Sequence, residues 1–125
     1  MTEHPRPSSY LRNPTDLFNP AYLDELANAI RGPAVQAAID MRIEQIVRYG
    51  HDAEHDDMQA IDRLPHLARE RLIAAIEQIA GTGERQHLAA ARNNLARTAA
   101  MCMAAIDRLD RAIAAQAKKQ AELRL

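Results

Sequence analysis

Residues 84–123 read ERQHLAAARNNLARTAAMCMAAIDRLDRAIAAQAKKQAEL and contain neither glycine nor proline. Apolar residues recur in this stretch with the seven-residue repeat of helices that pack in bundles. They are Leu88, Leu95, Ala99, Cys102, Ile106, Leu109 and Ile113. We predict one long helix of about 60 Å at 1.5 Å per residue. Because the preceding segments are too short to cover it, its tail should either fray or pair with another chain, which favours a homo-oligomer through this C-terminal helix.

The remainder of the chain also has helical spacing, interrupted by proline and glycine. Asn19-Pro20 has the form of an N-cap followed by proline at the first helical position, and this helix should end near Arg31-Gly32. Pro33 starts a second helix, which Gly50 can terminate. Five of the six prolines lie in the first 33 residues, which indicates an extended arm at the N-terminus.

After Gly50 the pattern predicts a further helix, capped by Asp56 or Asp57 and interrupted or kinked at Pro65. Helical spacing then continues as far as Gly81, and no β-strand is signalled. The fold class is therefore all-α, a small helical bundle with a proline-rich N-terminal arm at residues 1–18, a single helical domain at 19–125 and a long C-terminal helix.

Composition limits the possible functions. Hydrophobic residues make up 47% of the 125 positions and aromatic residues only 3%, so helices should pack closely through small side chains. A net charge of −1 gives no general drive toward nucleic acid or an anionic membrane. The single cysteine, Cys102, excludes an internal disulfide and should be a buried small hydrophobe. No signal peptide and no membrane-spanning run is recognisable, so we expect a cytoplasmic protein.

The most polar stretch is residues 48–57, RYGHDAEHDD, which gathers two histidines and four carboxylates in a turn between helices. The segment from His51 to His55 superficially resembles the zinc motif H-E-x-x-H. However, the acid beside the first histidine is Asp52, Gly50 breaks the helix just before it, and no third ligand is marked. Zinc hydrolysis is therefore disfavoured.

A second interpretation is a magnesium site that holds nucleotide phosphates. Carboxylate oxygens on facing helices suit this ion, which keeps several waters and bridges to phosphates. The candidate ligands are Asp40, Glu44, Asp56, Asp107 and Asp110. The alternative is a solvated acidic surface with ordinary helix ion pairs.

A third interpretation makes the same turn a binding site for a phosphorylated ligand. The candidate residues are Arg48, Tyr49, His51, His55 and Asp57, with Arg42 and either Arg69 or Arg71 as further cations. Arginine and histidine donate hydrogen bonds to phosphate oxygens, and the tyrosine ring offers a surface for a base. In a fourth, purely structural interpretation, the acids cap helices and the histidines matter little.

Four segments form a recognisable pattern: Ile43-Glu44-Gln45-Ile46, Glu54-His55-Asp56-Asp57, Leu67-Ala68 and residues 95–111, LARTAAMCMAAIDRLDR. On these segments, positions 40 to 112 resemble a family of small all-helical proteins common in bacteriophages and prophages. The family pattern is E-R-x-x-Q-I-x-x-E-G-x-x-x-E-H-D-D, then G-E-L-A-x-A-A, then K-A-x-A-L-I-x-A-E-I-E-R-L-D-R. Its acidic helical layout is similar to that of MazG-type nucleotide pyrophosphatases, which hold magnesium with carboxylates.

This chain departs from the family pattern where catalysis would need acids. His66 replaces the acid of G-E-L-A, and Ala105 replaces the first acid of A-E-I-E-R. Loss of two carboxylates would remove a metal site and leave a pocket. The sequence therefore predicts a phage-type protein of the bacterial host's cytoplasm that binds a nucleotide or other phosphorylated small ligand, with no required cofactor, and possible sequestration of a host-defence signal. The alternatives are a magnesium-dependent pyrophosphatase and a helical interaction module.

Overall fold

The computed structural model describes residues 19–81 and 85–124, without the side chains of Arg85 and Gln86. The predicted arm at residues 1–18 lies outside this described part. Within it the chain forms five helices and no strand, which confirms the all-α fold class and the long C-terminal helix. The helices are α1 (Pro20–Ile30), α2 (Pro33–Tyr49), α3 (Ala53–Met58), α4 (Arg63–Gly81) and α5 (Arg85–Leu123). None of the described helices has the length and hydropathy needed to cross a membrane.

Two compact units divide the chain, one ending at Gln36 and the other beginning at Ala37. In the first unit, α1 begins as its sequence predicts. The Asn19 side-chain oxygen accepts a hydrogen bond from the Ala21 N–H at 3.1 Å, and Pro20 occupies the first helical position. Proline costs nothing there because its missing N–H would have no partner in the helix. The Asn19 cap is thus confirmed.

The second unit is built on the antiparallel packing of α4 against α5. Every buried apolar residue that the structure describes is an alanine: Ala38, Ala68, Ala75, Ala91, Ala96, Ala100, Ala104 and Ala105. Small side chains let helix backbones approach closely, so the contact depends on fit and not on large apolar anchors. Asn94 adds a polar link by donating to the Gln78 side-chain oxygen at 2.9 Å.

Helix α5 has 39 residues and α4 has 19, which correspond to about 58 Å and about 28 Å of helix. The C-terminal half of α5 therefore extends past α4. The segment 118–122, which is polar enough to fray, is still helical. Pairing of this tail with another chain stays a prediction.

Three local expectations are corrected. Cys102 is exposed, not buried, because α5 turns its alanine face toward the rest of the unit. The cap of the helix after Gly50 is Asp52, whose carboxylate accepts from the His55 N–H at 2.9 Å, so neither Asp56 nor Asp57 caps it. Pro65 does not interrupt a helix, since it lies in the first turn of α4, where a missing N–H is tolerated.

Candidate ligand-binding site

Gly50 ends α2 and sets the direction of the polar turn. Its φ is +70°, a left-handed conformation that glycine adopts without steric cost. The Gly50 N–H donates to the Ile46 carbonyl at 3.1 Å, and the His51 N–H returns to the Gln45 carbonyl at 2.9 Å. These two bonds hold His51 beside the last turn of α2.

Arg42 fastens the same turn from the side. Its guanidinium donates to the His51 carbonyl at 2.9 Å and to Asp56 Oδ2 at 3.2 Å. The Asp56 side chain is only 2% exposed, and its other oxygen lies 3.4 Å from His55 Nδ1. A buried carboxylate is stable only when it is paired, so Arg42 is the counter-charge that permits Asp56 to lie in the interior.

Three rings form a short series along the turn. The rings of His51 and His55 stack with centroids 4.6 Å apart, and the Tyr49 ring lies 6.1 Å from His51 at a tilt of 38°. The Arg48 guanidinium lies 5.8 Å from the Tyr49 centroid and also pairs with Glu44 at 3.2 Å. The turn thus presents a partly exposed aromatic surface with a cation beside it.

Asp57 faces away from this series and binds α5. Its carboxylate accepts from Arg111 Nη2 at 2.8 Å and from Arg111 Nε at 2.9 Å, while Arg108 Nε lies at 3.6 Å. The hydrogen bond from Arg111 lowers the pKa of Asp57, and the same bond raises the pKa of Arg111. This two-point contact attaches α3 to the long helix.

Helices α2, α4 and α5 enclose an open cleft of about 330 Å³ beside the turn. The lining residues are Met41, Glu44, Gln45, Tyr49, His51, Arg71, Arg97 and Met101. The α2 residues in this set fall at helical intervals of three, four and eight, which places them on one face of that helix. A volume of this size is at the lower end of the range for small-molecule sites.

The two arginines that line the cleft differ from the arginines near the turn in having no carboxylate partner among the residues that the structure describes. Arg42, Arg48, Arg108 and Arg111 each contact a carboxylate. Arg71 on α4 and Arg97 on α5 are exposed side chains without an ion pair in the described part of the chain. Both line the same cleft as Tyr49 and His51, so the cleft carries positive charge that no ion pair of the described residues neutralises. Glu44 also lines the cleft, but Arg48 neutralises it.

The structure gathers only part of the predicted binding set at the cleft. Tyr49 and His51 line it. Arg48 lies beside the Tyr49 ring and His55 stacks on the His51 ring, and neither of these two lines the cleft. Asp57 is directed to α5 instead. Sequence reasoning missed Arg97. The available signal was that Arg71 and Arg97 stand about equally far from the α4–α5 connection, which places them at the same level of an antiparallel pair.

The predicted metal ligands are dispersed among other contacts. Glu44 lines the cleft, Asp56 pairs with Arg42, and Asp107 lies near enough to Arg111 to raise its pKa. Asp40 and Asp110 are exposed. Among the described residues no three histidine, cysteine, aspartate or glutamate side chains are grouped so as to hold a metal ion. The magnesium site stays a prediction.

Comparison with protein-family models, with curated proteins and with solved structures found no match to this chain.

Proposed function

We propose that this chain binds a nucleotide or another phosphorylated small molecule in the cleft beside Tyr49. The observation that carries the proposal is the pair of arginines without ion pairs, Arg71 and Arg97, in the same cleft as a half-exposed tyrosine ring. A phosphate would be an anionic partner for these two guanidinium groups, and each group can donate two parallel hydrogen bonds to it.

The remaining lining residues suit the rest of a nucleotide. The Tyr49 ring offers a face for a base, and His51 and Gln45 supply hydrogen-bonding groups at the cleft wall. Met41 and Met101 add adaptable apolar surface. Binding of this kind requires no general base and no metal, so we favour a binding protein over a hydrolase.

The resemblance of residues 40–112 to phage proteins extends the proposal to a biological role. A phage protein that retains a nucleotide messenger of the host's defence would act in the host cytoplasm by sequestration alone. Such a protein returns its ligand chemically unchanged. The homo-oligomer predicted through the C-terminal helix stays a separate proposal, because retention of a ligand in the cleft does not require it.

A thermal-shift screen of the full chain with nucleotides, cyclic dinucleotides and cyclic ADP-ribose variants tests the proposal. A ligand at a hundred times its Kd should stabilise the folded chain by about 2.7 kcal/mol. Release of the ligand at unchanged mass supports sequestration. Magnesium-dependent release of pyrophosphate from a nucleoside triphosphate would identify a MazG-type enzyme instead, and the absence of any shift would favour a helical interaction module.

Matched arginine variants locate the response. We expect Arg71→Gln and Arg97→Gln each to weaken binding at least about tenfold, because each removes a charged donor worth about 1.4 kcal/mol or more. Arg69→Gln on α4 and Arg92→Gln on α5 change exposed arginines outside the cleft lining and should leave binding intact. Equal losses from both sets would show that general positive charge, and not the cleft, attracts the ligand.

A further inference from the structure

Helix α5 has a second apolar face that the described part of the chain leaves uncovered. We call it the heptad stripe, and it consists of Leu88, Leu95, Ala99, Cys102, Ile106, Leu109 and Ile113, all of which are exposed. Ile106 is 58% exposed and Ile113 is 62% exposed. The alanine face of the same helix is meanwhile buried against its neighbours. A helix that is apolar on both sides is typical of the interior of a bundle.

Helix α4 carries a matching exposed row. Leu72, Ile76 and Ile79 recur at intervals of four and three, and each is 40% exposed or more. The hydrogen bond between Asn94 and Gln78 marks the sides that α5 and α4 turn to each other. At 100° per residue, the α4 row lies about 130° from Gln78 and the heptad stripe lies about 100° from Asn94, in the same rotational sense. In an antiparallel pair, displacements of the same sense and similar size lie on the same side. The two rows therefore form one surface, the hairpin apolar face.

We propose that the hairpin apolar face is covered by the same face of a second copy of this chain, so that two α4–α5 hairpins form a four-helix bundle. The alternating three- and four-residue spacing specifies helices as the occupant, because only helices place knobs into holes at that repeat. The α4–α5 hairpin of a second copy supplies two helices whose apolar spacing and length match those of the first copy. A twofold axis makes the contact self-complementary.

Charge and area both suit a second copy. From Leu95 to Ile113, every position at alternating four- and three-residue spacing is uncharged. A net charge of −1 per chain gives two copies little mutual repulsion. Eight half-exposed leucine and isoleucine side chains, at about 30 Å² per buried carbon, offer roughly 500 Å² per copy before the smaller residues are added. Two copies thus reach the roughly 1,000 Å² of a specific interface.

Sedimentation equilibrium of the full chain tests the proposal. The expected species has twice the 13.9 kDa of one chain and dissociates on dilution. Ile106→Glu places a charge in the centre of the contact and should weaken the dimer about 100-fold or more. Val47→Glu is the matched control, since Val47 is a 79% exposed apolar residue on α2, outside the hairpin apolar face. It should leave the dimer mass unchanged.

Far-UV circular dichroism shows whether each variant still folds, and Cys102 supplies a measurement on the unmutated chain. Cys102 lies in the heptad stripe, so a dimer should slow its reaction with a maleimide, and dilution should restore the rate. A monomer mass at all concentrations, or a thiol rate independent of concentration, would overturn the proposal. It is independent of ligand binding: a dimer without a nucleotide response refutes only the proposed function, and a nucleotide-binding monomer refutes only the dimer.

Discussion

The polar turn and the cleft beside it use the same residue type in opposite ways. In the turn, Arg42 neutralises the buried Asp56, and Arg111 and Arg108 neutralise Asp57. In the cleft, Arg71 and Arg97 contact no carboxylate among the described residues. In the turn, the ion pairs hold the helices in place. In the cleft, the two guanidinium groups are available to an anionic ligand. Acidic density in the sequence therefore marks the structural region, and the functional candidate is its basic neighbour.

The largest expected effect comes from breaking the pairing in the turn. Arg42→Ala leaves the 2% exposed Asp56 carboxylate without its counter-charge, which should lower the free energy of unfolding by about 3–5 kcal/mol. Urea denaturation measures it. The control is Arg48→Ala, which removes an exposed pair with Glu44 and should cost about 0.5 kcal/mol or less. Similar costs for both variants would mean that Asp56 does not depend on Arg42.

A smaller effect is expected where the turn meets the cleft. Gly50→Ala forces a side chain onto a φ of +70° and should cost about 1–2 kcal/mol, although no atom lies within 4 Å of the added Cβ. It should also weaken ligand binding, because His51 is positioned by this turn. Gly81→Ala is the control, since Gly81 is helical, has open space around it, and should become slightly more stable. A neutral Gly50→Ala would contradict the strain argument.

The smallest expected effect is the pH dependence of the Asp57 contact. The pKa of Asp57 is lowered from 3.8 by the hydrogen bond from Arg111, so its stabilising contribution is fully present above 3.8 and is lost as pH falls through the lower, folded-state value. Asp57→Asn should therefore be less stable than the unmutated chain at neutral pH, and the difference should shrink below pH 3.8. Denaturation across the acid range gives this difference directly. A gap that persists in strong acid would assign the loss to packing.

Local signals in the sequence were sufficient for most of the helices. The Asn19-Pro20 start of α1, the Gly50 end of α2 and the uninterrupted α5 each depend on the chemistry of neighbouring residues. The cap after Gly50 was harder because four acids lie within six residues and each is eligible. Asp56 is buried beside Arg42, fourteen positions away, and Asp52 is the N-cap. Local propensity ranks these acids about equally as caps, so the tertiary contact of Asp56 is what separates their roles.

The candidate site was predictable only where it is local. Tyr49 and His51 were found because they lie in one turn, but Arg97 belongs to the cleft through the packing of α5 on α4. The exposure of Cys102 was missed for a related reason. Periodicity shows which residues share a face, and it does not show which neighbour covers that face. In α5 both the alanines and the heptad stripe are eligible, and only the alanines are buried in the described part of the chain.

The buried alanines of α4 and α5 have a consequence for mutational mapping. Ala75, Ala100 and Ala104 have no exposed surface, yet an alanine scan skips all three because they already are alanine. Substitution by glycine removes one carbon, whereas a larger side chain has to displace the atoms that enclose these positions. These fully buried positions are therefore skipped by an alanine scan and are best probed by substitutions that add volume.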